Sequence, residues 1–184
     1  MARKVSVTKE SIQDAAFLIV QTEGVNALTA RRLAEKAGCS TQPIFRNYEN
    51  MEELNKEIFE RAVVYFSNFY QKCQQKKRTD DKPFVEFGLA YIDFAMQEPK
   101  LFSALFLTSE RYGRSLYELL NGSTGAFMKE MTKAKQLGVA DPGELFMKMW
   151  IFIHGAACMV ISGDYDLPET ETVRLLNEVY QKNA

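Results

Sequence analysis

Residues 28–54 read LTARRLAEKAGCSTQPIFRNYENMEEL, and the helix starts and stops inside this stretch decide the fold. Thr29 is a good N-cap, Leu33, Ala34 and Ala37 share one side of the segment that follows, and Gly38 stops it. After the turn Gly38-Cys39-Ser40, Ser40 can cap a further helix from Thr41 to about Asn47, with Ile44 and Tyr48 facing inward. Pro43 is tolerated in its first turn, where a backbone N–H has no intrahelical partner. Asn50-Met51-Glu52-Glu53 then forms a capping box for a longer helix. Two helices of barely two turns joined by a tight turn describe a helix-turn-helix unit.

Working outward, Thr8 caps a first helix whose Ile12, Ala15, Ala16 and Ile19 form an apolar face before Gly24. Downstream, the Asn50-capped helix runs to about Gln75, and the polar run 74–82 reads as a loop. Further helices start near Pro83 and at Glu98-Pro99, and one from Arg111 to Gln136 is broken or kinked between Asn121 and Gly125. Asp141-Pro142 opens a long helix to about Gly163, and Pro168 opens the last, to about Gln181. The expected fold is all-α, with an N-terminal three-helix unit and a larger C-terminal helical bundle, about nine helices in total. Domains are placed at 1–50 and 51–184, with the fourth helix shared across that boundary.

The 184 residues are 46% hydrophobic and 26% charged, with a formal net charge of −1. That balance is globular, and any nucleic-acid site must be local rather than spread over the molecule. Cys39, Cys73 and Cys158 are odd in number and widely spaced, and His154 is the single histidine, which disfavours a disulfide framework and a zinc site alike. There is no Gly-rich phosphate loop and no recognisable nucleophile–histidine arrangement, so neither enzymatic activity nor a cofactor is expected. The stretch Trp150–Ile161, about twelve residues, is shorter than a bilayer span and reads as a buried helix. The amino terminus has no apolar run of the secretory kind, and a cytoplasmic location is expected.

The quoted stretch resembles the DNA-binding domain of the tetracycline-repressor (TetR) family. Leu28, Thr29, Arg31, Ala34, Ala37, Gly38, Ser40 and Leu54 match its pattern by identity, and Leu33, Cys39, Ile44, Phe45 and Tyr48 match in character. With the first helix, the resemblance covers roughly the first sixty residues. It implies a transcriptional regulator, most often a repressor, that binds double-stranded DNA as a homodimer and responds to a small-molecule effector. In chemical terms, Gln42 can pair two-pronged with adenine and Thr41 can meet a thymine methyl. Ser40 either caps its helix or bonds phosphate, Thr29 and Arg31 sit where the family approaches DNA, and Arg46 is a backbone-contact candidate. The family's phosphate-binding tyrosine is Phe45 here, its histidine is Asn47, and its lysine at the start of the fourth helix is Met51. These departures predict fewer phosphate contacts and a weaker salt dependence. Seven basic against four acidic residues leave positions 1–48 at +3, so the remainder carries −4. Arg3 and Lys4 are further candidates to make up the missing contacts.

In the second domain, Trp150…His154-Gly155 and Glu98-Pro99-x-Leu101-Phe102 resemble, over short stretches, the regulatory domain of one subgroup of the family. Leu145, Met149, Phe152, Ala156 and Met159 recur at alternating four- and three-residue steps. With Val173, Leu176 and Tyr180 they form the expected dimer seam, as part of a four-helix interface. Tyr91, Tyr112, Trp150 and His154 are the candidate polar handles of an otherwise apolar effector cavity, and His154 reads more naturally as a satisfied buried histidine. The alternative reading is a helical ligand-binding or protein-interaction module that keeps the helix-turn-helix fold without specific DNA reading.

Overall fold

A computed structural model describes residues 7–75 and 82–184; Arg3, Lys4 and most of the expected 74–82 loop lie outside these. The described residues form ten α-helices: α1 Lys9–Glu23, α2 Ala30–Lys36, α3 Gln42–Asn47, α4 Met51–Gln74, α5 Val85–Gln97, α6 Pro99–Phe106, α7 Leu116–Asn121, α8 Ala126–Gln136, α9 Pro142–Ser162 and α10 Glu169–Asn183. Short 3₁₀ turns occupy Val25–Ala27 and Gly122–Thr124. Of the two outcomes expected between Asn121 and Gly125 the break is the one found, with α7 ending at Asn121 and α8 starting at Ala126, and the helical segment begins at Leu116 rather than Arg111. The chain packs as two compact units, residues 1–63 with 100–113 and residues 64–99 with 114–184.

In the first unit, Thr8 accepts the Ser11 N–H at 3.1 Å and Ser11 bonds back to Thr8, closing a capping box that starts α1. Gly24 ends α1 at φ +94°, a conformation that side-chain-bearing residues rarely adopt. The buried face of α1, Ile12, Ala16, Ile19 and Val20, meets α2 and α3. Leu33 from α2, Ile44 from α3 and Leu54 from α4 are each fully buried in the same unit.

In the second unit α5 is buried along nearly its whole length, packing on α9 and α10. Gly88 makes the α5–α9 approach possible, because a Cβ there would lie 2.7 Å from Ile153 Cδ1. An aromatic chain lines this core: Phe127 against Phe146 at 4.6 Å between ring centroids, Phe146 against Trp150 at 5.7 Å, and Trp150 against Tyr91 at 4.8 Å. Buried Glu130 of α8 accepts the Phe84 N–H at 2.7 Å and so covers the amino end of α5. Its other oxygen faces the Tyr70 hydroxyl at 3.4 Å. Burial and that carboxylate raise the Tyr70 pKa well above its ordinary value. With 21 residues, α9 is long and apolar enough to cross a membrane by length and composition. Its bounds are close to those expected from Asp141-Pro142 and Gly163, and Leu145, Phe146, Met149, Trp150, Ile153, Ala156 and Ala157 are all buried within the protein.

Candidate nucleic-acid interface

The short helix α3 is anchored by two side chains: Ile44 is fully buried and Tyr48, just after the helix, is nearly so. Lys9 lies over the Tyr48 ring, 4.9 Å from its centroid. Burial and the nearby Glu57 raise the Tyr48 pKa. With the inward positions taken, Thr41, Gln42, Phe45, Arg46 and Asn47 all face solvent, and Phe45 leaves 49% of its surface exposed. A half-exposed phenylalanine on a two-turn helix leaves an apolar face open to an outside partner.

The helix begins one residue later than expected. Thr41, already helical at φ −69° and ψ −18°, occupies the N-cap position, so Ser40 does not cap α3. Nor does the Thr41 side chain, for a local reason. The N–H groups an N-cap side chain takes are those two and three residues on; Pro43 has none, and the Ile44 N–H already bonds the Thr41 carbonyl at 3.1 Å. The hydroxyls of Ser40 and Thr41 therefore remain at the exposed amino end of α3 without a capping task.

The turn holding α2 against α3 is closed by backbone bonds, with Gly38 at φ +64° and the Cys39 N–H on the Ala34 carbonyl at 2.9 Å. Thr29 caps α2, accepting the Arg32 N–H at 3.2 Å. That bond occupies one lone pair of its hydroxyl and leaves the other outward.

The cations divide into two sets. Arg32 is engaged by Glu23 through Nε and Nη2 at 2.9 and 2.8 Å and by Glu35 at 3.0 Å. The pairing lowers the Glu23 pKa. Lys9 pairs with Glu57 at 3.3 Å. Arg31 and Arg46 are exposed and, among the described residues, make no ion pair. Charge counting missed this distinction, although the Arg32–Glu35 spacing of three residues on a helix was its visible sign. Asn47 directs its amide N–H back to the Pro43 carbonyl at 2.8 Å, leaving its oxygen for an outside donor. At the start of α4, Asn50 accepts the Glu53 N–H at 2.9 Å and Glu53 accepts the Glu49 N–H at 2.7 Å. The exposed carboxylates of Glu49 and Glu52 flank Met51, the position where the family pattern has lysine, which makes this helix end a poor phosphate site.

The other expected sites separate. In the second unit Tyr91, Trp150 and His154 come together: the Tyr91 hydroxyl lies 3.0 Å from His154 Nδ1, and the indole and imidazole stack at 5.3 Å. Tyr91 is fully buried and Trp150 nearly so, whereas His154 is only partly buried, short of the buried histidine expected. Tyr112 belongs to the first unit, where its ring meets Phe59 at 5.3 Å. A cleft of about 530 Å³ in the second unit is lined instead by Tyr65, Phe69, Lys72, Cys73, Asp93, Gln97, Glu98 and Glu169. Its aromatic wall touches the packed cluster through Phe94, 5.3 Å from Phe69, and Phe66, 6.2 Å from Tyr91. Of the expected dimer seam, Leu145, Met149, Ala156 and Leu176 lie inside the subunit's own core. Phe152, Val173 and Tyr180 are partly exposed, and Met159 is open at 47%. The outward stripe of α9 is Met147, Ile151 and Met159, with Ile151 exposed at 67%.

Comparison with known proteins places these features in context. Residues 84–179 match the family described as tetracyclin repressor-like, C-terminal domain. An uncharacterized HTH-type transcriptional regulator of Mycobacterium tuberculosis is 22% identical over 175 residues, covering 94% of this chain and 79% of its own. The uncharacterized HTH-type transcriptional regulator YobS of Bacillus subtilis is 24% identical over 108 residues, covering 58% of this chain and 56% of its own. Among solved structures, a protein of unknown function from Rhodococcus sp. RHA1 aligns with a TM-score of 0.70 at 18% identity, over 95% of this chain and 94% of that one. A TetR family transcription regulator from Marinobacter aquaeolei VT8 aligns with a TM-score of 0.66 at 14% identity, over 94% and 93%. At such identities the structural likeness concerns the fold.

Proposed function

The chain belongs to the tetracycline-repressor family and is a DNA-binding transcriptional regulator, and from that premise we propose that it is an effector-responsive repressor reading a palindromic operator as a homodimer. The observation that carries the proposal is α3, whose anchored side leaves Thr41, Gln42, Phe45 and Arg46 outward at once. In this reading residues 1–50 supply the DNA-reading part and 51–184 the effector-binding and dimerisation part. Thr41 and Gln42 meet base edges, Phe45 adds an apolar contact to thymine methyls or sugar, and Thr29, Arg31, Ser40, Arg46 and Asn47 hold the backbone. Two such helices related by a two-fold axis match half-sites about 34–36 Å apart or a multiple of that distance.

The outward stripe of α9, with Phe152, Val173 and Tyr180 at its flanks, supports pairing with a second copy. The 530 Å³ cleft, of a size that suits a small molecule, is the effector site we assign, and its aromatic contacts run to Tyr91, Trp150 and His154. An effector that binds one conformation better than the other shifts DNA affinity by that difference alone. The protein's place is the cytoplasm, where its operator is.

Selection from random duplexes followed by mobility-shift titration tests the reading. A two-fold symmetric sequence should emerge, and the double variant Thr41→Ala/Gln42→Ala should lose at least tenfold in affinity for it while its residual binding to unrelated duplex stays the same. Enrichment of no sequence, or undiminished specific binding by the double variant, would reject it.

A further inference from the structure

The first unit contains a cavity of its own. About 50 Å³ in volume, it is lined mostly by apolar side chains, among them Val20, Leu28, Ile58 and Phe59, together with Tyr112 and the polar Thr108 and Glu110. It shares Val25, Ala104 and Thr108 with an adjoining depression of about 380 Å³ that Lys100 and Ser103 border. Inside this apolar lining stands one amide, Asn55 of α4, whose Oδ1 is buried and has no hydrogen-bond partner. A buried acceptor without a donor is costly, and any donor that reaches it recovers that cost. The lid has its own irregularity. Tyr112 is a non-glycine residue at φ +50°, with its N–H on the Glu110 carboxylate at 3.2 Å and its ring on Phe59. A left-handed tyrosine is conformationally strained, and relief of that strain offsets part of what is lost when the ring turns outward.

We propose that this cavity is a ligand site for a small apolar molecule carrying one hydroxyl, an alcohol or a phenol, whose O–H donates to Asn55 Oδ1. The space beside Phe59 and Ile58 takes the hydroxyl end and its neighbouring carbons. The rest of the molecule extends past Thr108 into the depression, with Tyr112 displaced from the mouth. A hydroxyl suits the site better than an anion, since the lining is mostly apolar, its one ionisable acid is Glu110, and the buried Asn55 Oδ1 awaits a donor. Because Asn55 lies one turn into the helix that follows α3, a ligand here ties the 107–113 segment to the helix leaving the recognition element. The binding itself does not depend on whether α3 reads DNA.

The test uses the full chain and two probes of nearly equal shape, phenol and toluene, titrated by calorimetry. Phenol should bind saturably and at least tenfold more tightly than toluene. Asn55→Leu, which keeps the volume and removes the acceptor, should abolish that preference, and Ala104→Leu, which narrows the shared wall, should weaken both probes. Each variant's circular dichroism and melting curve confirms that it is folded. The proposal is overturned if phenol does not saturate, as when Asn55 is satisfied by ordered water alone. It is equally overturned if Asn55→Leu leaves the preference intact, or if Ala104→Leu leaves both affinities unchanged. Operator binding, read separately on the same samples, decides the DNA-reading assignment and not this one.

Discussion

At the scale of single residues, what matters is which polar groups are already engaged. Arg31 and Arg32 are neighbours of identical chemistry, yet Arg31 is exposed with no ion pair among the described residues while Arg32 is clamped between Glu23 and Glu35. A guanidinium held by two carboxylates must give them up before it can neutralise a phosphate. Arg31→Ala and Arg46→Ala should therefore weaken binding to every duplex alike. Each should lower the slope of log affinity against log salt by about 1. Arg32→Ala should leave that slope unchanged. Titrations between low and physiological salt distinguish the three; an equal slope change for Arg32 would mean that its pairs open on DNA. The count of +3 over residues 1–48 treats all seven cations as equivalent; the Arg32–Glu35 spacing was the one sign of the difference, and the Glu23 contact left none. The candidates Thr41, Gln42 and Arg46 were legible, since Ile44 and Tyr48 mark the inward side and spacing gives the remainder.

At the scale of elements, start signals were readable where the capping chemistry is local. Thr8, Thr29, Asn50 and Asp141 each accept the backbone N–H groups their positions imply. The Ser40 assignment failed because Pro43 removes one of the N–H groups a cap would use, an effect that favours neither hydroxyl by spacing alone. Less legible still was the role of Gly88, which sits inside a helical pattern with no turn to explain it. The structure explains it by the neighbouring helix. A methyl at Gly88 would meet Ile153 Cδ1 at 2.7 Å and Cγ1 at 2.8 Å, and Ile153 is fully buried. Alanine's better helix propensity is worth at most about 1 kcal/mol, and overpacking outweighs it. Gly88→Ala should destabilise the protein by about 1–3 kcal/mol in urea unfolding. In combination with Ile153→Ala the loss should be smaller than the two single losses added, because the smaller partner makes room for the new methyl. Strict additivity would show that the α5–α9 contact is not what Gly88 serves.

For the whole molecule, the question is which face of α9 is left for a second copy. Composition marked this helix as apolar nearly all round, and in such a helix a four-and-three spacing can be traced along more than one stripe. The stripe through Leu145, Met149 and Ala156 is the one that α5, α8 and α10 cover; the stripe through Met147, Ile151 and Met159 is uncovered. Periodicity finds such stripes but cannot rank them, since that depends on where α5 lies. Three large apolar side chains exposed in a row on one helix are unusual for a monomer and ordinary for an interface. Ile151→Glu places a charge in the middle of that row without touching the subunit's core. The variant should keep the melting behaviour of an intact subunit and sediment at half the wild-type mass at micromolar concentration. Its affinity for a full palindrome should fall at least tenfold, toward the value for an isolated half-site, because the second recognition helix is no longer held at high effective concentration. A variant that still sediments as a dimer and still binds the palindrome at full strength would move the interface away from this face of α9.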